Sequence, residues 1–305
     1  MTPKTRKYIK RLILILLGVP FLLGVLFVLN GTLLAKGEKP IVGTIPDTNA
    51  KTYADAAELT VVSFNIAKCF AINGRDFASE AEVHQRLDQM AQVIRDEDPD
   101  LVFISEAIFT CGPCPVNHVT YLAKATHMHS YACGECYNIG LPFYNVSGGT
   151  AILAKGKVEG LKNLSLAGRK PFYQTRNSRR ALFAKTTIQG TDLLLASLHN
   201  DSFNPENNLV QIKQVLDFVG DQPAILAGDF NAMPEWDSIQ TVKATGRYTG
   251  AFDGPHTFPS EKQPEHPRKI DFILAPASWI LVEERVIETA VSDHYPIVAT
   301  FRLSP

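Results

Sequence analysis

Asp229 and Asn231 close an apolar run, Pro223-Ala224-Ile225-Leu226-Ala227-Gly228-Asp229-Phe230-Asn231. A run of this length predicts a buried strand that carries a carboxylate and an amide out to the rim of a sheet. Two apart in extended chain, the two side chains point the same way, a spacing suited to gripping a metal ion and a phosphate oxygen together. Asn65, Glu106, His199, Asp271, Asp293 and His294 also lie at or beside the ends of expected strands. Each alone has an ordinary explanation as a cap, a turn former or a hydrogen-bonded histidine. Strand ends converge on one rim of a layered sheet, and four carboxylates gathered there are costly without a cation. Hard oxygen donors of this kind suit Mg2+ or Mn2+.

The elements that must position these residues can be read from periodicity. Residues 59–64 alternate like a strand and end at Asn65. Ser79 and Glu82 form a capping box for a helix whose buried face is Val83, Leu87, Met90 and Ile94. A second buried strand, 101–104, ends at Glu106. Another strand is expected over 148–154, and a hairpin over 181–188 and 192–199 about Gln189-Gly190. Asn204 caps a helix that starts at Pro205 and buries Leu209, Ile212, Val215, Leu216 and Val219. A short helix is expected after Pro234, and strands over 270–274 and 297–301. Strand–helix–strand order points to a layered α/β (α+β) domain.

Residues 12–29 form an apolar run long enough to cross a bilayer, preceded by Lys4, Arg6, Lys7, Lys10 and Arg11. The positive-inside rule keeps that basic end in the cytoplasm. The expected organisation is a cytoplasmic tail (1–11), a transmembrane anchor (12–34), a Pro/Gly/Thr-rich linker (35–58) and a catalytic domain (59–305). A cleaved signal peptide is the alternative, disfavoured by the poor small-x-small site at Leu33-Leu34-Ala35. Either way the domain is expected in the periplasm or outside the cell. Without the five basic residues, 25 Lys and Arg oppose 31 Asp and Glu, a net charge of −6. Such a domain has no bulk attraction for long nucleic acid.

Ser63-Phe64-Asn65, Ile104-Ser105-Glu106, Ser197-Leu198-His199, Gly228-Asp229-Phe230-Asn231, Ile270-Asp271-Phe272-Ile273 and Ser292-Asp293-His294 occur in this order across 59–302. They resemble the motifs of the endonuclease/exonuclease/phosphatase family, which includes DNase I, exonuclease III, inositol polyphosphate 5-phosphatases and neutral sphingomyelinases. The resemblance implies a four-layered α-β-β-α sandwich of two mainly antiparallel sheets. It also implies metal-dependent phosphoester hydrolysis by in-line attack of water. It assigns Glu106 as principal metal ligand with Asn65 and Asp293, and His294 as the catalytic histidine oriented by Asp271. Asp229 and Asn231 would position water and phosphate, and His199 would hydrogen-bond the scissile phosphate. The substrate is left open among phospholipid, nucleic acid and small phosphoesters. An extracytoplasmic nuclease and an inactive binding module are the rival readings, and no protein partner is inferred. Asn200-Asp201 departs from the family's usual apolar residue. Its acid-and-tyrosine segment has no clear counterpart, and Tyr173, Arg176, Arg179 and Arg180 occupy that region, as substrate-binding residues or as a solvated loop.

Cys111-Gly-Pro-Cys114 and Cys133-Gly-Glu-Cys136 are separated by eighteen residues. In the cytosol this pattern would read as zinc; outside it, disulfides are favoured, with structural Zn2+ second. Cys69 is left as a free thiol.

Overall fold

Along the Glu58–Asn65 strand, Leu59 and Val61 enter one apolar cluster and Val62 and Phe64 another. A strand buried on both faces must lie inside a stack, with something apolar covering each side. The computed structural model of the chain, which describes residues 2–73, 76–168, 179–259 and 267–303, shows what covers them. A seven-stranded sheet runs in the order Ile41–Thr44, Ser130–Leu141, Tyr144–Ala154, Leu101–Cys111, Glu58–Asn65, Ile297–Arg302, Ile280–Val286. A six-stranded sheet runs Tyr248–Thr249, Asp271–Pro276, Ala224–Asp229, Thr191–His199, Arg180–Ile188, Glu159–Ser165.

Leu59, Val61, Leu101 and Phe103 of the first sheet meet Leu182, Leu195, Ile225 and Ile273 of the second in the central layer. Helices Glu80–Asp96 and His118–Ala125 cover the outer face of the first sheet through Val83, Leu87, Met90, Val119 and Leu122. Helices Pro205–Val219 and Asp237–Ala244 cover the second through Ile212, Val215, Ile239 and Val242. The result is the expected α-β-β-α sandwich. The Ser79–Glu82 capping box and the Asn204 cap form as expected. The Pro205–Val219 helix differs at one position: Leu209 is half-buried and Asn208 is buried in its place.

The N-terminal helix Pro3–Leu29 is long and apolar enough to cross a membrane. The segment joining it to the domain is more ordered than the linker expected over 35–58. Ile41–Thr44 pairs antiparallel with the Ser130–Leu141 strand, and Asn163 bonds the Gly37 and Glu38 carbonyls. A four-residue strand carries too little alternation to be legible, and this one forms because a sheet edge is available to pair with it.

His118 is buried at the start of its helix, where its Nδ1 accepts the Ile108 N–H at 3.3 Å. Burial lowers its pKa from 6.5 to about 4. The unfolded chain therefore binds a proton between those values that the folded protein refuses. The contribution of His118 to stability should be constant above about pH 6.5 and should fall as pH drops towards 4. In urea unfolding of the detergent-solubilised protein, His118→Gln is expected to flatten that acid limb.

Candidate active site

Each sheet contains one parallel strand pair, and these pairs place the site. Glu58–Asn65 and Leu101–Cys111 run parallel, with Asn65 opposite Ser105, so Asn65 and Glu106 emerge together. Thr191–His199 and Ala224–Asp229 run parallel, with His199 opposite Asp229. Asp271, at the start of an antiparallel neighbour, lies opposite Asp229. His294 precedes the Ile297–Arg302 strand, whose first residue lies opposite Ser63. Parallel pairing requires a crossover, supplied here by the Glu80–Asp96 and Pro205–Val219 helices.

Several backbone positions are bent to the purpose. Glu106 has φ 59° and sits where pairing with Tyr144–Ala154 shifts register between Ile104 and Ala107, a β-bulge that re-aims its side chain. Asn231 has φ 49°. Gly228 has φ 136°, and a Cβ there would collide with the Leu198 backbone across the parallel pair.

Among the described residues, Asp229, Asp271 and His294 form the one cluster of three or more acidic, His or Cys groups close enough to share an ion, their ligand atoms all within 4.8 Å. Asp271 Oδ2 lies 2.9 Å from His294 Nδ1, and His294 Nε2 lies 3.7 Å from Asp229 Oδ2. The Asn65 amide donates to Asp229 Oδ2 at 3.0 Å, and the Asn231 N–H to Asp229 Oδ1 at 2.8 Å. His199 Nε2 lies 3.7 Å from both Asp229 Oδ2 and Glu106 Oε1. These six sequence-predicted residues, with Asn231, are therefore brought together.

The charges reflect that packing. Burial opposes a charge on His294, but Asp271 and Asp229 outweigh it and raise its pKa to about 10. Burial and the charge on Arg179 push His199 down to about 4, against Asp229 and Glu106. Burial and Asp271 push the Asp229 carboxyl up, against the two histidines. Burial would also raise Glu106, but the charges of His199 and Lys68 bring it down to about 2. Since His199 is neutral above about pH 4, the cations bearing on Glu106 at neutral pH are Lys68, in contact with it, and His294.

Nothing in the sequence marks Lys68 as a site residue. It lies in a run of left-handed non-glycine residues, Ala67 to Phe70, that brings its ammonium onto Glu106 Oε2. Asn208, on the Pro205–Val219 helix, holds the motif loop by donating to the Phe230, Asn231 and Asp201 carbonyls. Thr257 accepts the Ile270 and Asp271 N–H groups, both at 3.1 Å. Phe258 sets its ring against His294 at 4.8 Å.

The remaining expected residues lie outside this hydrogen-bonded cluster, although the charge of Asp293 still bears on His294. Asp293 is exposed, and its carboxylate accepts the Ser292 hydroxyl at 3.4 Å. Arg180 is buried and donates to the Asn163 carbonyl at 3.1 Å, whereas Arg179 reaches the His199 carbonyl at 3.4 Å. Tyr173 and Arg176 lie outside the described residues. Cys111, Cys114, Cys133 and Cys136 are buried free thiols in this structure. The first three pack into the helix-covered core, Cys136 is not part of that cluster, and the four do not surround one centre.

The sequence profile of the endonuclease/exonuclease/phosphatase family matches residues 62–294, spanning all six motifs. The chain belongs to this family. No curated protein sequence matches it, but solved structures share its fold. A family member from Beutenbergia cavernae is 21% identical with a TM-score of 0.62, covering 81% of this chain and 72% of its own. The humanized TDP2 of D. rerio is 21% identical with a TM-score of 0.56, covering 81% of this chain and all of its own. The Bacteroides thetaiotaomicron mannosyl-6-phosphatase is 17% identical with a TM-score of 0.57, covering 80% and 99%. The family usually employs a divalent metal ion, and the donors here fit one. Glu106 is held ionised, and the ammonium of Lys68 already sits against it; carboxylate and amide oxygens are the ligands hard cations take.

Gly228→Ala should cost at least about 2 kcal/mol of stability, from a strained φ and a backbone collision. Urea unfolding of the solubilised protein measures this, and a loss near zero would contradict the close approach of the two parallel strands.

Proposed function

We propose that this protein is a metal-dependent phosphodiesterase-type hydrolase, anchored by its N-terminal helix with the catalytic domain outside the cytoplasm. The observation that carries the reading is the Asp271–His294–Asp229 relay, with His199 and Glu106 beside it. Asp271 fixes the orientation of His294, so that Nε2 faces the site. Asp229, with one oxygen held by Asn231 and the other by Asn65, accepts a proton from the attacking water. The water oxygen bonds to phosphorus, and the opposite P–O ester bond breaks in line. His294 and His199 direct N–H groups at the phosphoryl oxygens, where negative charge develops. The leaving oxygen takes up a proton, from His294 or from solvent. A divalent ion held by Glu106 with Asn65 and Asp293 would supply further charge stabilisation on the phosphoryl group.

The full chain in detergent with Mg2+ is expected to hydrolyse bis-p-nitrophenyl phosphate. EDTA should abolish turnover and added Mg2+ or Mn2+ restore it. His294→Ala and Asp271→Asn should each lower kcat by roughly 10²–10⁴. Activity that survives both chelation and His294→Ala would remove this mechanism. A panel of plasmid DNA, RNA, phospholipid, inositol phosphates and monoesters separates the substrate classes, and cleaved plasmid with untouched lipid would favour a nuclease.

A further inference from the structure

The hairpin of strands Ser130–Leu141 and Tyr144–Ala154 runs on past the active site. Both Leu101–Cys111 and Ser130–Leu141 are antiparallel to Tyr144–Ala154, so the hairpin turn leaves the sheet at the same end as Asn65 and Glu106. Gly149 lies opposite Ala107. Tyr144, five residues further out, reaches roughly 16 Å beyond that level at about 3.3 Å per residue.

The N-terminal helix ends on this same hairpin. Buried Asn30 donates from Nδ2 to Asn138 Oδ1 at 2.8 Å and to the Gly140 carbonyl at 3.2 Å. The Lys36 N–H donates to Glu135 Oε1 at 2.7 Å. Residues 2–25 are exposed, so the helix stands clear of the domain until its last turn. A membrane crossed by that helix therefore has its outer surface level with Asn30–Leu34 and with the hairpin turn. At this level Leu33 is 76% exposed and Phe143 73%, with Leu34 and Tyr144 exposed beside them. Phe203, 90% exposed, comes four residues after His199 at the same end of the second sheet. Exposed apolar side chains in such number at one end of the domain mark an interaction surface, and aromatic rings suit the headgroup layer.

We infer that the active-site end of the domain faces the bilayer that holds its helix, with Leu33, Leu34, Phe143 and Tyr144 in the headgroup layer, and that the substrate is a phospholipid of that bilayer whose phosphodiester headgroup is lifted out of the layer to reach the site. The catalytic half of this inference rests on the hydrolase reading of the site. A domain of net charge −6 gains no bulk attraction for anions, and a tether that holds the site at the membrane supplies substrate by effective concentration instead. In the reaction one water adds to phosphorus, one P–O bond of the headgroup diester breaks, and the water's proton ends on the departing oxygen.

The full chain is reconstituted in phosphatidylcholine nanodiscs containing brominated lipid. Phe143→Trp fluorescence should be quenched above the wild-type level, while Ile280→Trp, exposed at the far end of the first sheet, should not. Equal quenching of the two overturns the seating, whatever the activity. Phe143→Ser combined with Tyr144→Ser should lower phosphatidylcholine hydrolysis about tenfold or more and leave bis-p-nitrophenyl phosphate turnover within about twofold. Phe143 quenching with intact phosphatidylcholine, while the soluble diester is consumed, overturns the phospholipid assignment. Wild type inert on both substrates sinks the hydrolase reading and with it the substrate, and the quenching still decides the seating.

Discussion

Two buried carboxylates, Asp229 and Asp271, stand on neighbouring strands with one imidazole between them. Taking each out of water costs several kcal/mol unless charge and hydrogen bonds compensate. His294 supplies the charge, and the Asn65 amide, the Asn231 N–H and Thr257 behind the Asp271 backbone supply order. The rest of the site is built around keeping that arrangement. Phe258 walls the imidazole on one side, and Ser292 ties the segment before it to the Asn65 carbonyl at 2.7 Å. The same low-dielectric setting that makes the cluster costly makes its fields strong where a phosphoryl group would bind.

Placing these groups requires an irregular backbone. Four successive left-handed residues, Ala67 to Phe70, each cost roughly 1–2 kcal/mol relative to the right-handed form. The turn is held from three sides. Asn65 Oδ1 accepts the Ala67 N–H at 3.0 Å, the Cys69 N–H bonds the Ile66 carbonyl, and Arg86 reaches the Cys69 and Phe70 carbonyls. Its product is the ammonium of Lys68 against Glu106. Strain held in place beside a reactive cluster is the usual signature of a site whose geometry is fixed in advance of ligand.

The segment after the N-terminal helix shows how a short stretch can be ordered by what it meets. Residues 36–44 have few apolar groups and no period, yet Glu135 and Asn163 capture their backbone and a sheet edge pairs with Ile41–Thr44. The domain and its helix are thereby joined through specific hydrogen bonds rather than a slack chain.

Sequence alone determined the strands that end at Asn65, His199 and Asp229, because two-sided burial leaves apolar runs that stop where the chain turns polar; the strand expected to end at Glu106 instead bulges there and runs on to Cys111. It determined both crossover helices through their caps and 3.6-residue faces, and it determined the apolar helix at the N-terminus. The family motifs then identified the residues that meet. Only the tertiary structure decided that Lys68 reaches Glu106, that Asn208 pins the Phe230–Asn231 loop, and that Arg180 turns inward while Arg179 faces His199. It also left the four paired-spacing cysteines as separate buried thiols. The physical reason is range. Burial and backbone propensity repeat along the chain and leave a period, whereas a contact between a turn and a distant strand depends on register, bulge and φ at single residues, which leave none.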